Sequence, residues 1–178
     1  MGADPTLEQR LRNCRSSAVH LEMRDGYMRS DPRFVAWQQG VRNAPEDNDP
    51  ALRPWLALTS ELVGRGVEVR RARIVSEPVS DYIEFEHHVT AANVAAGEKV
   101  RWLPRRRASD LALPGNDFWL FDASVVVFHH FGGDGELAPD DETCTDDPAT
   151  VKLCGSAFDA VWERGTPHER YQPPGRQT

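Results

Sequence analysis

The chain has 178 residues, 39% of them hydrophobic, with a formal net charge of -7 and a mean hydropathy of -0.57. That length suits one domain around a single core, burying about two thirds of the surface its unfolded chain would expose. The negative charge opposes nonspecific adhesion to nucleic acid or anionic membrane, and no apolar run approaches the roughly 20 residues that cross a bilayer.

In chain order, Thr6 can cap a helix carrying Leu7, Leu11 and Cys14, and SAVHLEMRDGY then alternates Val19, Leu21 and Met23 as a first strand. Asp31-Pro32 starts a second helix with Phe34, Val35 and Trp37 on its apolar side. NAPEDNDPALRP reads as a loop, and helix signals return over residues 50–63 with Leu52, Leu56, Leu58 and Val63 before Gly64 and Gly66.

VEVRRARIV (67–75) is the first strand dense in arginine. Alternation sets Arg71 and Arg73 on one side and Arg70 on the other. Ser80 or Asp81 caps a helix with Tyr82, Ile83, Phe85 and Val89, closed by Gly97, and KVRWLP (99–104) is the next strand. That helix is long enough for a right-handed crossover between neighbouring parallel strands. DFWLF and VVVFHHF, separated by Asp122-Ala123-Ser124, form a β-hairpin. Residues 134–147 hold seven acids and no base, and read as a solvated loop. Asp146 and Pro148 precede a last helix with Val151, Leu153, Cys154, Phe158, Val161 and Trp162. The predicted architecture is a single α/β (α+β) domain over residues 1–166, with a mixed sheet of about five strands flanked by helices. A Pro-, Gly- and Arg-rich tail over 167–178 is expected to fray.

No complete catalytic or metal motif is present. His87-His88 and His129-His130 are adjacent pairs, so each offers at most one convenient ligand, and they are assigned to packing and hydrogen bonding. Cys154 sits on the apolar side of its helix and reads as a small buried residue. Cys14, Cys144 and Cys154 are odd in number and lack a secretory h-region, which places the protein in the cytoplasm. GGDG (132–135) is a turn, since no GK[ST] or GxGxxG continues into a helix. No metal or cofactor is expected.

The better constellation is of arginines, acids and aromatics. Arg71, Arg73 and Arg105 can bind carboxylate or phosphate bidentately. Glu77, Asp81, Asn116, Asp117 and Trp119 would complete a recognition pocket at the carboxyl ends of the strands. The opposing reading is an internal ion-pair network, in which the acids just beyond the strand, Glu77, Asp81, Glu84 and Glu86, consume the arginines.

The order of elements resembles one half of a phospholipase D-like domain, including the catalytically silent versions attached to bacterial regulators. The active family carries a His-x-Lys pair. Here Lys99 and Lys152 are the only lysines, and neither has a histidine two residues before it. A resemblance over nearly the whole chain is carried by SAVHLEMRDGY, RRARIVSEPVSDYIEFEH, VRWLPRRRASDLALPGNDFWLFD and HHFGGDGE. These strings resemble an uncharacterised actinobacterial family of unknown function found beside helix-turn-helix regulators and their small partner proteins. The resemblance implies such a regulator or its small partner as the binding partner. The expected function is a non-enzymatic regulatory module binding a partner protein or a small anionic ligand. The alternative is an enzyme acting on a phosphate- or carboxylate-bearing substrate with Asp81, Glu84 or Asp117 as acid-base. Direct DNA binding is not expected, because no compact helix-turn-helix is present and the charge has the wrong sign.

Overall fold

The computed structural model describes residues 5–42 and 49–174. Its elements run α1 (Leu7–Asn13), β1 (Ser17–Glu22), α2 (Pro32–Gln38), α3 (Pro54–Gly64), β2 (Glu68–Val75), α4 (Asp81–Ala95), β3 (Lys99–Pro104), a 3-10 turn (Arg105–Ala108), β4 (Phe118–Phe121), β5 (Val125–Phe131), β6 (Leu137–Thr145), α5 (Pro148–Arg164), β7 (Thr166–Pro167) and a second 3-10 turn (His168–Arg170). Thr6 and Gln9 form a capping box on α1, while Asp31, Ser80 and Asp147 cap α2, α4 and α5 by accepting from backbone N–H groups of the first turn. The helix expected from residue 50 begins only at Pro54. Proline's fixed φ and missing N–H suit the first helical position, and Leu52 lies before the helix at 57% exposure.

Seven strands form one mixed sheet in the order β6-β5-β4-β1-β2-β3-β7. β1, β2 and β3 are mutually parallel, with α4 crossing from β2 to β3 as its length requires. β4 is antiparallel to β1 and pairs with β5 through a hairpin, whose turn residues Asp122 and Ala123 have φ of 48° and 50°. Positive φ at both central positions matches the right-handed twist of the flanking strands. The Asp122 carboxylate accepts from the backbone N–H groups of Arg15, Ser16 and Ser17, tying this turn to the start of β1 and holding its pKa well below the usual carboxylate range.

The sheet has seven strands rather than about five, for two reasons. Residues 137–145 of the acidic stretch form β6, antiparallel to β5 with a bulge near His129 and Phe131. Charge does not exclude an edge strand, because its backbone pairs on one side while its side chains meet water. The second addition is β7, in the segment expected to fray. Thr166 and Pro167 pair with Trp102 and Arg101 of β3. Tyr171 then stacks on Trp102 with ring centroids 5.6 Å apart and planes 7° apart, so burial of two large rings holds the segment down.

Period-2 alternation divides the sheet faces. Val19, Leu21, Ala72, Ile74, Leu103, Phe118, Leu120 and Val126 pack against Cys154, Phe158 and Val161 of α5. The opposite face is covered in two patches. Leu58 and Leu62 of α3 join Leu11 over Val67, Val69, Trp119 and Phe121, while Phe34 of α2 and Tyr82, Phe85 and Val89 of α4 cover Val75, Val100 and Trp102. Between these patches the sheet presents polar side chains. No helix among the described residues is long and apolar enough to cross a membrane.

Candidate functional site

Strand register assembles the polar strip. Arg71 of β2, His20 of β1, Trp119 of β4 and Val127 of β5 form one cross-strand row. The next row holds Arg73, Glu22, Asp117, His129 and Glu142, since Glu22 pairs with Arg73, His129 with Glu142, and the His129 N–H donates to the Asp117 carbonyl at 2.9 Å. All of these but Val127 line a cavity of about 570 Å³, a size that holds a small ligand. Trp55 and Arg53 at the start of α3, Tyr82, Glu86 and Asn93 of α4, and Tyr27 supply further walls. Met28, Leu52 and Leu137 line the same cavity and are exposed, so its mouth is apolar.

Arg71 and Arg73 are held by Glu22, Glu86 and Glu98, of which the sequence suggested Glu86 alone. Arg71 Nε donates to Glu98 Oε1 at 2.7 Å, and its Nη1 donates to Glu22 Oε1 at 3.2 Å. Glu98 also accepts from Asn93 Nδ2 at 2.7 Å. Arg73 is only 4% exposed, and its Nη2 donates to Glu86 Oε2 at 2.6 Å. Its Nε lies 2.6 Å from Glu22 Oε2 but out of line for a hydrogen bond, so the charges pair while both atoms lack an aligned partner. Arg73 Nη1 has no hydrogen-bond acceptor among the described residues. Burial raises the Glu22 carboxyl above its ordinary range, against the pull of Arg73 and Arg71.

Trp119 stacks on His20 with centroids 4.2 Å apart and planes 14° apart. Asp117 is also buried, with Oδ1 accepting from the Met23 N–H at 2.9 Å and Oδ2 accepting from the Tyr27 hydroxyl. Burial raises the Asp117 carboxyl, and the two hydrogen bonds oppose that shift.

Of the eight residues singled out in the sequence, Arg71, Arg73, Asp117 and Trp119 share this cavity. Arg105 and Asn116 line a second cavity of about 330 Å³ at the carboxyl ends of the strands, which meets the first at Asp117 and His129. There Arg105 donates to the Met23 carbonyl at 2.5 Å and to Ser76 Oγ at 3.0 Å, and pairs with Asp25. Glu77 accepts from the Tyr171 hydroxyl at 3.0 Å, and Asp81 is held by Arg29 and Gln38, both outside the larger cavity. The expected single pocket at the strand ends is therefore two cavities, because Arg71 and Arg73 project from the middle of the sheet face while Arg105 follows the last residue of β3. His20, Glu22, Asn93 and Glu98 were not singled out. Their signal was present: His20 and Glu22 share one side of β1, and Tyr82, Glu86 and Asn93 recur at helical spacing on α4.

Three histidines outside the larger cavity make hydrogen bonds. His87 Nε2 meets the Tyr171 carbonyl at 3.0 Å, His168 Nδ1 accepts from Trp102 Nε1 at 3.2 Å, and His130 bonds Thr143. Burial lowers the pKa of His20, His87, His129 and His168 below 6.5. Just below pH 6.5 the unfolded chain therefore binds more protons than the folded one, and stability falls as pH drops into that window. Glu22 and Asp117, with raised values, oppose this by favouring the folded state as they protonate. Urea titrations at stepped pH should show the unfolding free energy declining below pH 6.5, with a shallower slope in His168→Gln. An unchanged slope in that variant would remove His168 from the account.

The protein is an α+β domain whose mixed sheet carries a cavity lined by buried charge and aromatic rings. The chain belongs to the family described as domain of unknown function (DUF6879), whose profile matches residues 5–173. No curated protein matches it.

Proposed function

We propose that this domain is a non-enzymatic regulatory module, acting in the cytoplasm, that holds a small ligand bearing an anionic group in the arginine- and aromatic-lined cavity and presents the bound state to a partner protein. A helix-turn-helix regulator or its small partner is the partner class that the resemblance implies. The carrying observation is the buried Arg73, which lines the cavity and whose Nη1 has no hydrogen-bond acceptor among the described residues. A buried guanidinium N–H without a partner is costly, and a carboxylate or phosphate oxygen would satisfy it. The enzyme alternative has less support, because both oxygens of Asp117 are engaged and Asp81 lies outside the cavity. The parallel pairing of β2 with β3 and the β4–β5 hairpin are compatible with a phospholipase D-like half-domain, and the lack of a histidine two residues before Lys99 or Lys152 supports the silent kind.

Titration with benzoate and phenyl phosphate, followed by NMR on the Trp55 and Trp119 indole signals, tests the reading. Saturable shifts are expected, weakened roughly tenfold by Arg73→Lys, which keeps the charge but loses the fork, and unchanged by Arg105→Ala. No saturable shift would overturn the site. Phosphodiester turnover lost in Asp117→Asn would overturn the non-enzymatic reading.

A further inference from the structure

We infer that residues 166–171 form an acid-released strap over the outer edge of β3, with His168 as its trigger. Hydrogen-bond direction fixes the protonation state that the seated strap requires. His168 Nδ1 lies 3.2 Å from Trp102 Nε1, and an indole N–H only donates, so this nitrogen is the acceptor and carries no proton. A proton there sets two donors against each other and breaks the bond. His87 behaves differently. Its Nε2 lies 3.0 Å from the Tyr171 carbonyl and is the donor, so a proton added at Nδ1 keeps that bond. The two imidazoles lie with centroids 4.6 Å apart and planes 36° apart, so charge on either ring opposes charge on the other.

The surrounding groups do not reverse this. Arg73 stands over the Trp102 ring at 5.6 Å, Arg101 pairs with Pro167 across the strands, His88 follows His87 on α4, and Arg170 belongs to the strap itself. Glu77 is engaged by the Tyr171 hydroxyl and by Arg106. Glu169, exposed beside His168, favours the imidazolium, but burial and His87 outweigh it and hold His168 below its ordinary value of 6.5. In water the released His168 takes its proton at about that ordinary value. The released strap therefore binds the proton first, and falling pH below 6.5 favours release. With one proton taken up per release, the ratio of seated to released strap drops by up to about tenfold per pH unit. Release takes β7 off Arg101 and Trp102 and opens the backbone groups of the β3 edge.

NMR between about pH 7.5 and 5, the range in which histidine titrates, tests this on the whole chain. It follows the amides of residues 166–171 and the Trp102 indole N–H beside the amides of β1 and β2, with the His168 ring protons reporting its charge. Strap and indole signals should move to those of a free segment as pH falls, while β1 and β2 stay unchanged. His168→Asn puts an oxygen that takes no proton at the place of Nδ1, and should hold the strap seated throughout. His168→Ala loses the bond as well, so its strap should be less seated at neutral pH yet have lost most of its pH dependence. His87→Gln keeps an N–H at the place of Nε2, and release should persist. A strap still seated at the acid end in the parent protein, a midpoint unchanged in both His168 variants, or release abolished by His87→Gln would overturn His168 as trigger. Loss of the β1 and β2 signals together with the strap would make the transition global and overturn the strap.

Discussion

Arg73→Ala should lower the unfolding free energy by about 3–5 kcal/mol in a denaturant titration, the cost of leaving buried charge without its counterpart. The guanidinium is 4% exposed, sits between Glu22 and Glu86, and lies over the Trp102 ring at 5.6 Å. Its removal leaves two carboxylates facing each other under α4. Burial raises the Glu22 carboxyl above its ordinary range, so the deficit should shrink as pH falls and Glu22 takes up a proton. Adding Glu22→Gln should recover part of the loss, with a coupling of about 0.5–3 kcal/mol between the two sites. Arg105→Ala is the contrast. Its side chain is 44% exposed and its ion pair with Asp25 is solvated, so the expected cost is about 1 kcal/mol or less. Equal costs for the two arginines would mean that Arg73 is not the buried centre of the network.

Trp102→Ala should be of comparable size, about 3–5 kcal/mol, because a fully buried indole leaves a cavity that a packed sheet cannot close. The effect has a second part. Trp102 pairs with Thr166 of β7, donates from Nε1 to His168, and stacks on Tyr171. Losing the ring should release the C-terminal segment before the rest of the sheet. Hydrogen exchange should show amides of residues 166–171 losing protection in the variant under conditions where β1 and β2 remain protected. Tyr171→Ala, which removes only the outer ring of the stack, should release the same segment at a smaller global cost. Unchanged protection there in both variants would show that the tail is held by something other than this stack.

The elements legible in advance were those with a strong local signal. Thr6, Asp31, Ser80 and Pro148 mark helix starts because caps and first-turn proline act within a few residues. The parallel β2–β3 pair and the β4–β5 hairpin follow from connection length, which geometry restricts to crossover or turn. β6 was hidden because its acidic composition resembles loop, and an edge strand carries little period-2 burial. β7 was hidden because two residues in a proline- and glycine-rich tail have no periodicity, and long-range contacts such as the Trp102–Tyr171 stack and the Trp102–His168 hydrogen bond hold them in place.

The same division runs through the site. Alternation alone placed Arg71 and Arg73 on one side of a strand, and composition alone showed that acids nearby could pair with them. Which acids do so was decided by strand order: β1 inserts between β2 and β4, setting Glu22 beside Arg73 and His20 beside Arg71, residues about 50 positions apart in the chain. Glu98 reaches Arg71 because the α4 crossover ends beside β2, and Arg105 leaves the group because it lies past the end of β3. Local rules set each side chain's direction relative to its own strand or helix. Which side chains then share a cavity depends on long-range pairing, and no local sequence signal encodes that pairing.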